Sequence, residues 1–240
     1  MAVEENVLEI NGKDVKIISA PYTKFFNFGQ PEGKDIENKI NWNNAKIYLK
    51  IDGILIKTAK VGNLLYFFMN GSFELNAPFE VSLVYDEIGT RGVETYGDLL
   101  KYALNKQIND EIFFDKETGE FYCKGKFADS FSEGTTLMFE LTSPGNKIIC
   151  EYNETKLWFH RFRDKNGNEV SPEAISDSIP FDMHKSYDAH DYNELKEILK
   201  AFKGNEQEGV VVVDYVSSKD EVLRTKIKCD DYLKLKINSN

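Results

Sequence analysis

Short apolar runs separated by turn dipeptides recur along the whole 240-residue chain, a pattern that excludes an all-helical fold. Val7 to Ile10 and Val15 to Ile18 flank Asn11-Gly12, a strong two-residue hairpin signal. Strands are expected next at Lys46 to Lys50, Ile54 to Lys60 and Leu64 to Met69, the last two joined through Gly62-Asn63. Others fall at Glu111 to Phe114, Phe121 to Lys124, Thr136 to Leu141, Lys147 to Tyr152 and Leu157 to Arg163, with a turn at Asn166-Gly167. Gly209 to Val216, Val222 to Lys228 and Tyr232 to Ile237 complete the series. Two helices interrupt it. Tyr96 to Lys106 puts Leu99, Leu100, Ala103 and Leu104 on one face, and Asn193 to Lys203 does the same for Leu195, Ile198, Leu199 and Phe202 before a stop at Gly204. A shorter helix is expected at Ser171-Pro172. The fold class is α+β with antiparallel sheets flanked by a few helices.

Composition limits the setting. A hydrophobic content of 41%, with 17 Phe and 12 Tyr, excludes disorder and supplies a sizeable core for one long domain or two small lobes. No run approaches the roughly 20 apolar residues that span a bilayer, so no membrane partner is expected. Met1 to Glu9 is acidic and lacks the apolar heart of a signal peptide. Cys123, Cys150 and Cys229 are too scattered for a disulfide framework or a zinc site, which reads most simply as a reducing, cytoplasmic setting. The formal net charge of −10 runs against a nucleic-acid partner, but net charge does not decide the charge of a local cleft. Lys219, Lys226, Lys228, Lys234 and Lys236 gather toward the C-terminus.

Lys50-Ile51-Asp52-Gly53 is the most informative tetrapeptide. A lysine nucleophile needs burial or cationic neighbours to shed its proton near neutrality, and Lys50 ends the apolar strand Ile47-Tyr48-Leu49. Gly53 permits a tight turn and close approach of a ligand, and Asp52 is placed to orient a metal-bound water. The same residues also suit an ordinary Asp-Gly hairpin turn. Lys226 and Lys228 share one strand face, where they serve either phosphate or solvent. Glu208 enters the apolar run Val210 to Val213 as a magnesium ligand or as a loop residue, and Glu140 sits inside Met138-Phe139-Glu140-Leu141 with an outward position also open to it. His160, His184 and His190 lack metal-ligand spacing, and no Gly-rich phosphate loop is present. Any nucleotide phosphates must therefore be handled by lysines.

The order of these pieces is more specific than any one of them. Lys50-x-Asp52-Gly53, Asn70-Gly71-Ser72-Phe73, Phe139-Glu140, Glu208-Gly209 and Lys226-x-Lys228 together resemble the covalent nucleotidyltransferase superfamily of ligases and capping enzymes. Within it the chain is most similar to the ATP-dependent RNA ligase type that T-even phages use in tRNA repair. Three stretches carry that likeness: Pro21-Tyr22-Thr23-Lys24-Phe25-Phe26-Asn27, Phe139 through Ile149, and Lys226-Ile227-Lys228-Cys229-Asp230-Asp231-Tyr232. It runs from about Val7 to Leu235.

The resemblance implies one ligase-type nucleotidyltransferase domain over residues 1–240, with the family's C-terminal specificity domain expected to be absent. It implies that Lys50 attacks the ATP α-phosphate to give lysyl-AMP. AMP then passes to an RNA 5′-phosphate, and a 3′-OH displaces it to seal the break. The implied catalytic lysines are Lys50, Lys226 and Lys228. Lys24, Leu49, Asp52, Gly53, Asn70, Glu140 and Glu208 join them in binding ATP, and Asp52, Glu140 and Glu208 hold hydrated Mg2+ (or Mn2+) and the ribose. Departures are also plain. The family's Arg-Gly is Val3-Glu4-Glu5-Asn6 here, Ala20 replaces an arginine, Asn70 replaces a basic residue, and Pro78 to Glu94 has no counterpart. A degenerate nucleotide- or RNA-binding module, and transfer to another acceptor, are the alternatives.

Overall fold

The computed structural model describes residues 7–10, 13–16, 19–69, 74–78, 93–218 and 221–238, the first two segments by backbone alone. In chain order the elements are β1 Val7–Ile10, β2 Lys13–Lys16, α1 Lys34–Lys39, β3 Lys46–Lys50, β4 Ile54–Val61, β5 Leu64–Met69, α2 Tyr96–Gln107, β6 Glu111–Phe114 and β7 Phe121–Lys124. They continue with α3 Lys126–Asp129, β8 Thr136–Thr142, β9 Lys156–Arg163, β10 Glu169–Val170, β11 Ser186–Tyr187, α4 Tyr192–Leu199, β12 Gly209–Asp214, β13 Leu223–Lys228 and α5 Asp230–Asn238. The chain divides into two compact units. The larger comprises residues 1–22, 53–146 and 153–183, and the smaller comprises residues 23–52, 147–152 and 184–240.

The larger unit is built on a seven-stranded antiparallel sheet in the order β10-β9-β8-β4-β5-β7-β6. Its inner face carries Ile56, Leu65, Phe67, Phe121, Leu137, Phe139 and Phe159, against which α2 lays Leu99, Leu100, Ala103 and Leu104. Fully burying one such side chain contributes roughly 1.5–3 kcal/mol, so this seam fixes the helix to the sheet. Thr95 and Asp98 form a reciprocal capping box at the start of α2. The smaller unit holds a four-stranded antiparallel sheet, β11-β3-β12-β13. One face buries Ile47, Val210, Val212, Leu223 and Ile227 beneath Leu195, Leu199 and Phe202. Alternation leaves Lys50, Lys226 and Lys228 on the other face.

Two expected strands take other forms. Lys147 to Tyr152 is irregular after a 3-10 turn at Pro144–Asn146, because the Ile149 and Cys150 amides donate to Asp52 rather than to a neighbouring strand. Tyr232 to Ile237 lies within helix α5, where Asp230 and Asp231 favour the first turn. The burial of Tyr232 and packing of Leu235 follow the helical three-residue spacing. The expected Ser171-Pro172 helix is a 3-10 segment, Pro172–Ser178. Among the described residues no helix is long and apolar enough to cross a membrane.

Candidate active site

Central strand β12 organises the cationic face of the smaller unit. Its first residue, Gly209, pairs in register with Lys50 of β3 on one side and Lys228 of β13 on the other. Cross-strand partners share a face, so both lysines project from the same side, about 10 Å apart across two strand spacings. The next row on that face is Tyr48, Val211 and Lys226. Gly209 has φ of 151°, and a Cβ there would collide with the Ile227 carbonyl and come within 2.6 Å of Lys228 Cα. Only glycine fits that position.

Glu208 fills the gap between the two lysines. Its Oε2 accepts from Lys50 Nζ at 2.7 Å, and its Oε1 lies 2.7 Å from Lys228 Nζ. Glu208 is buried, whereas the Lys50 side chain keeps 24% exposure and so stays reachable. Among the described residues no carboxylate forms an ion pair with Lys226. Burial first, and then the charges of Lys50 and Lys228, hold its ammonium below the usual lysine range, with Glu208 opposing and Lys236 adding to the effect. The segment before α1 is spliced onto this edge: Phe28 N–H donates to the Lys226 carbonyl, and Lys226 N–H donates to Phe26. Phe25 places its ring 5.2 Å from Lys226 Nζ and 5.5 Å from the Arg224 guanidinium. Lys24 is exposed, its ammonium 5.2 Å above the Phe26 ring. Leu49 lies partly buried against the apolar core, and its N–H donates to Lys185.

Asp52 is 5% exposed, and its carboxylate is committed within the same unit. The Ile149 and Cys150 N–H groups both donate to Oδ2 at 2.9 Å, and the Tyr232 hydroxyl donates to Oδ1 at 3.1 Å. In the larger unit, Glu140 is buried on β8 and accepts from Gly53 N–H at 3.2 Å. A Cβ on Gly53 would come within 2.5 Å of the Leu141 carbonyl and 2.9 Å of Glu140 Cγ, which explains the glycine. A bulge between Met138 and Phe139 in the β8–β9 ladder leaves His160 as the extra residue on β9. His160 Nε2 stands 3.9 Å from Glu140, while Nδ1 is hydrogen-bonded to the Tyr22 hydroxyl at 2.9 Å. Asn70 lies outside the described residues.

Thus the smaller unit gathers Lys50, Glu208, Lys226 and Lys228 and fixes Asp52 beside them, while Gly53 and Glu140 meet in the larger unit. Sequence reasoning missed the partners of Asp52, because Tyr152 and Tyr232 lie 100 and 180 residues away along the chain. It also passed over His160, whose aim depends on the bulge. The fold is thus antiparallel α+β, with a lysine-carboxylate-lysine row at the head of the central strand of its smaller sheet. The RNA ligase family profile matches residues 7–239, and the chain belongs to that family.

A protein of Autographa californica nuclear polyhedrosis virus, provisionally named a bifunctional polynucleotide kinase/RNA ligase, is 29% identical over 249 residues. That match takes in 100% of this chain but 32% of the viral protein, so the chain spans about a third of its relative. Among solved structures, an archaeal ATP-dependent RNA ligase has a TM-score of 0.53 at 13% identity, covering 88% of this chain and 48% of the other. A Naegleria gruberi RNA ligase variant with ATP and Mn has a TM-score of 0.57 at 11% identity, covering 90% and 59%. A second variant with AMP and Mn gives 0.56 at 10%, covering 96% and 76%. At these identities the likeness is one of fold.

Proposed function

We propose that this chain joins RNA ends at the expense of ATP through a lysyl-AMP intermediate on Lys50, both units acting as one nucleotidyltransferase domain. The observation that carries the reading is the row Lys50, Glu208 and Lys228 at the head of β12, with Lys226 one row behind. Lys50 Nζ, freed of its proton, attacks the ATP α-phosphorus, and the bond to the β-phosphate oxygen breaks as pyrophosphate leaves. Lys226 and Lys228 offset charge that develops on the α-phosphate, an electrostatic role that grows in the transition state. Lys24, carried on the segment paired to Lys226, contacts the outer phosphates. An RNA 5′-phosphate oxygen then takes AMP from Lys50, and a 3′-OH displaces AMP to form the phosphodiester.

Glu140, with Gly53, serves the ribose, and Leu49 and Asn70 complete the nucleotide-binding set. The divalent cation, Mg2+ or Mn2+, enters with ATP as part of the substrate and supplies neutralisation of the triphosphate. Among the described residues no three His, Cys, Asp or Glu side chains group as a metal cluster. Glu208 already bridges two ammonium groups and Asp52 already accepts three hydrogen bonds, so a cation carried by phosphate oxygens, touching these acids through water, fits the donor set better than a resident metal. The cytoplasm belongs to this reading, supported by three cysteines that are free and buried.

Incubation with ATP labelled at the α-phosphate should label the protein, and a 5′-phosphorylated RNA should then take up the label and be sealed. Labelling without sealing supports the second reading, a ligase-like module that no longer joins RNA, which Ala20 in place of the family's arginine favours. Preference for GTP over ATP supports transfer to another acceptor.

A further inference from the structure

Asp52 follows Lys50 by two residues, with only Ile51, 2% exposed, between them. Its surroundings hold it from two directions. The carboxylate takes the Ile149 and Cys150 amides and the Tyr232 hydroxyl, and its own N–H donates to the Tyr152 hydroxyl at 2.9 Å. Tyr232 is 1% exposed on α5, so its hydroxyl has no recourse to bulk water and must be partnered inside the protein.

We propose that Tyr152 and Tyr232 are positioning residues for nucleotidyl transfer, acting on Lys50 through Asp52. The proposal rests on the lysyl-AMP reading above. Asp52 is in this account the anchor of the turn that ends β3, and the two phenols are the bolts that hold the anchor. The attack of Lys50 Nζ on phosphorus demands a near-attack separation of about 3–3.5 Å, and an error of about 1 Å from a remote change costs on the order of 100-fold in rate. The hydroxyls, not the rings, carry this function. Phenylalanine at either position keeps the ring and removes the hydrogen bond to Asp52.

The test is single-turnover formation of the lysyl adduct over a range of ATP concentrations in Tyr152→Phe, Tyr232→Phe, Asp52→Asn and the Asp52→Asn/Tyr232→Phe pair. Each tyrosine variant should lose about 10- to 100-fold in rate at saturating ATP, while the half-saturating ATP concentration stays within about 2-fold. The double variant should be no slower than Asp52→Asn alone, because Tyr232 acts only through Asp52. Wild-type rates in both tyrosine variants, a loss confined to half-saturation, or a double variant slowed by the product of the single effects overturns the assignment. Should Tyr232→Phe unfold, the same split read in Tyr152→Phe decides. A wild-type protein that takes no label contradicts the lysyl-AMP reading itself and this proposal with it. A labelled wild type beside unaffected tyrosine variants overturns this proposal alone.

Discussion

Glu208 holds Lys50 by a 2.7 Å ion pair, and the same carboxylate holds Lys228 through its other oxygen at 2.7 Å. The carboxylate thus ties the proposed nucleophile to the second lysine. In the proposed reaction Lys50 sheds its proton and Glu208 releases it, which the arrival of the ATP triphosphate and its cation would promote by competing for both partners. Glu208→Gln keeps the shape but removes the charge. Because the carboxylate also meets the ATP-borne cation through water in the proposed reaction, adduct formation should fall by about 100-fold in that variant, read in single-turnover assays at saturating ATP. An undiminished rate would show that Glu208 only fills space.

Lys226 carries an opposite signature. Burial, then Lys50 and Lys228, lower its pKa from the ordinary 10.5, so the unfolded chain binds its proton more tightly than the folded one. The contribution to stability is therefore complete above pH 10.5 and is lost as pH falls through the folded value, leaving a penalty at neutrality. Lys226→Met removes that penalty. The variant should melt a few degrees higher than wild type at pH 7, with the gain shrinking as pH rises toward 10.5, while adduct formation drops by about 100-fold or more.

Gly209→Ala tests the strand geometry. The substitution forces a side chain into φ of 151° and against the Ile227 carbonyl between Lys50 and Lys228. A loss of about 2–4 kcal/mol in urea denaturation is expected, together with loss of adduct formation. Normal stability in this variant would mean that β12 and β13 yield more easily than their pairing implies.

Thr95→Ala serves as the contrast. It removes half of the capping box on α2, far along the chain from every lysine invoked above. Denaturation should show a loss of about 1 kcal/mol, with adduct formation per folded molecule unchanged. A matching loss of activity would tie α2 to the reaction.

Much of this was legible in the sequence wherever one local signal decided the outcome. The strand ends at Lys50, the Gly62 turn and the apolar face of α2 follow from alternation, turn chemistry and helical spacing. Tyr232 to Ile237 misled because Tyr, Leu, Leu and Ile among lysines satisfy both periods over so short a stretch, and the acidic start at Asp230-Asp231 decided for helix. Lys147 to Tyr152 misled because a side chain almost a hundred residues away, Asp52, claims its amides. For the same reason the partners of Lys50 could be named from the order of motifs, but the bonds that fix Asp52 could not. The aim of His160 at Glu140 depends on one extra residue in a ladder, which no periodicity announces.

The most direct test of the account is mass-spectrometric mapping of the protein after incubation with ATP and Mg2+. The account predicts an AMP adduct on the peptide containing Lys50, lost in Lys50→Ala and reversed to ATP by added pyrophosphate. An adduct on another lysine, or an equal adduct in Lys50→Ala, would contradict it.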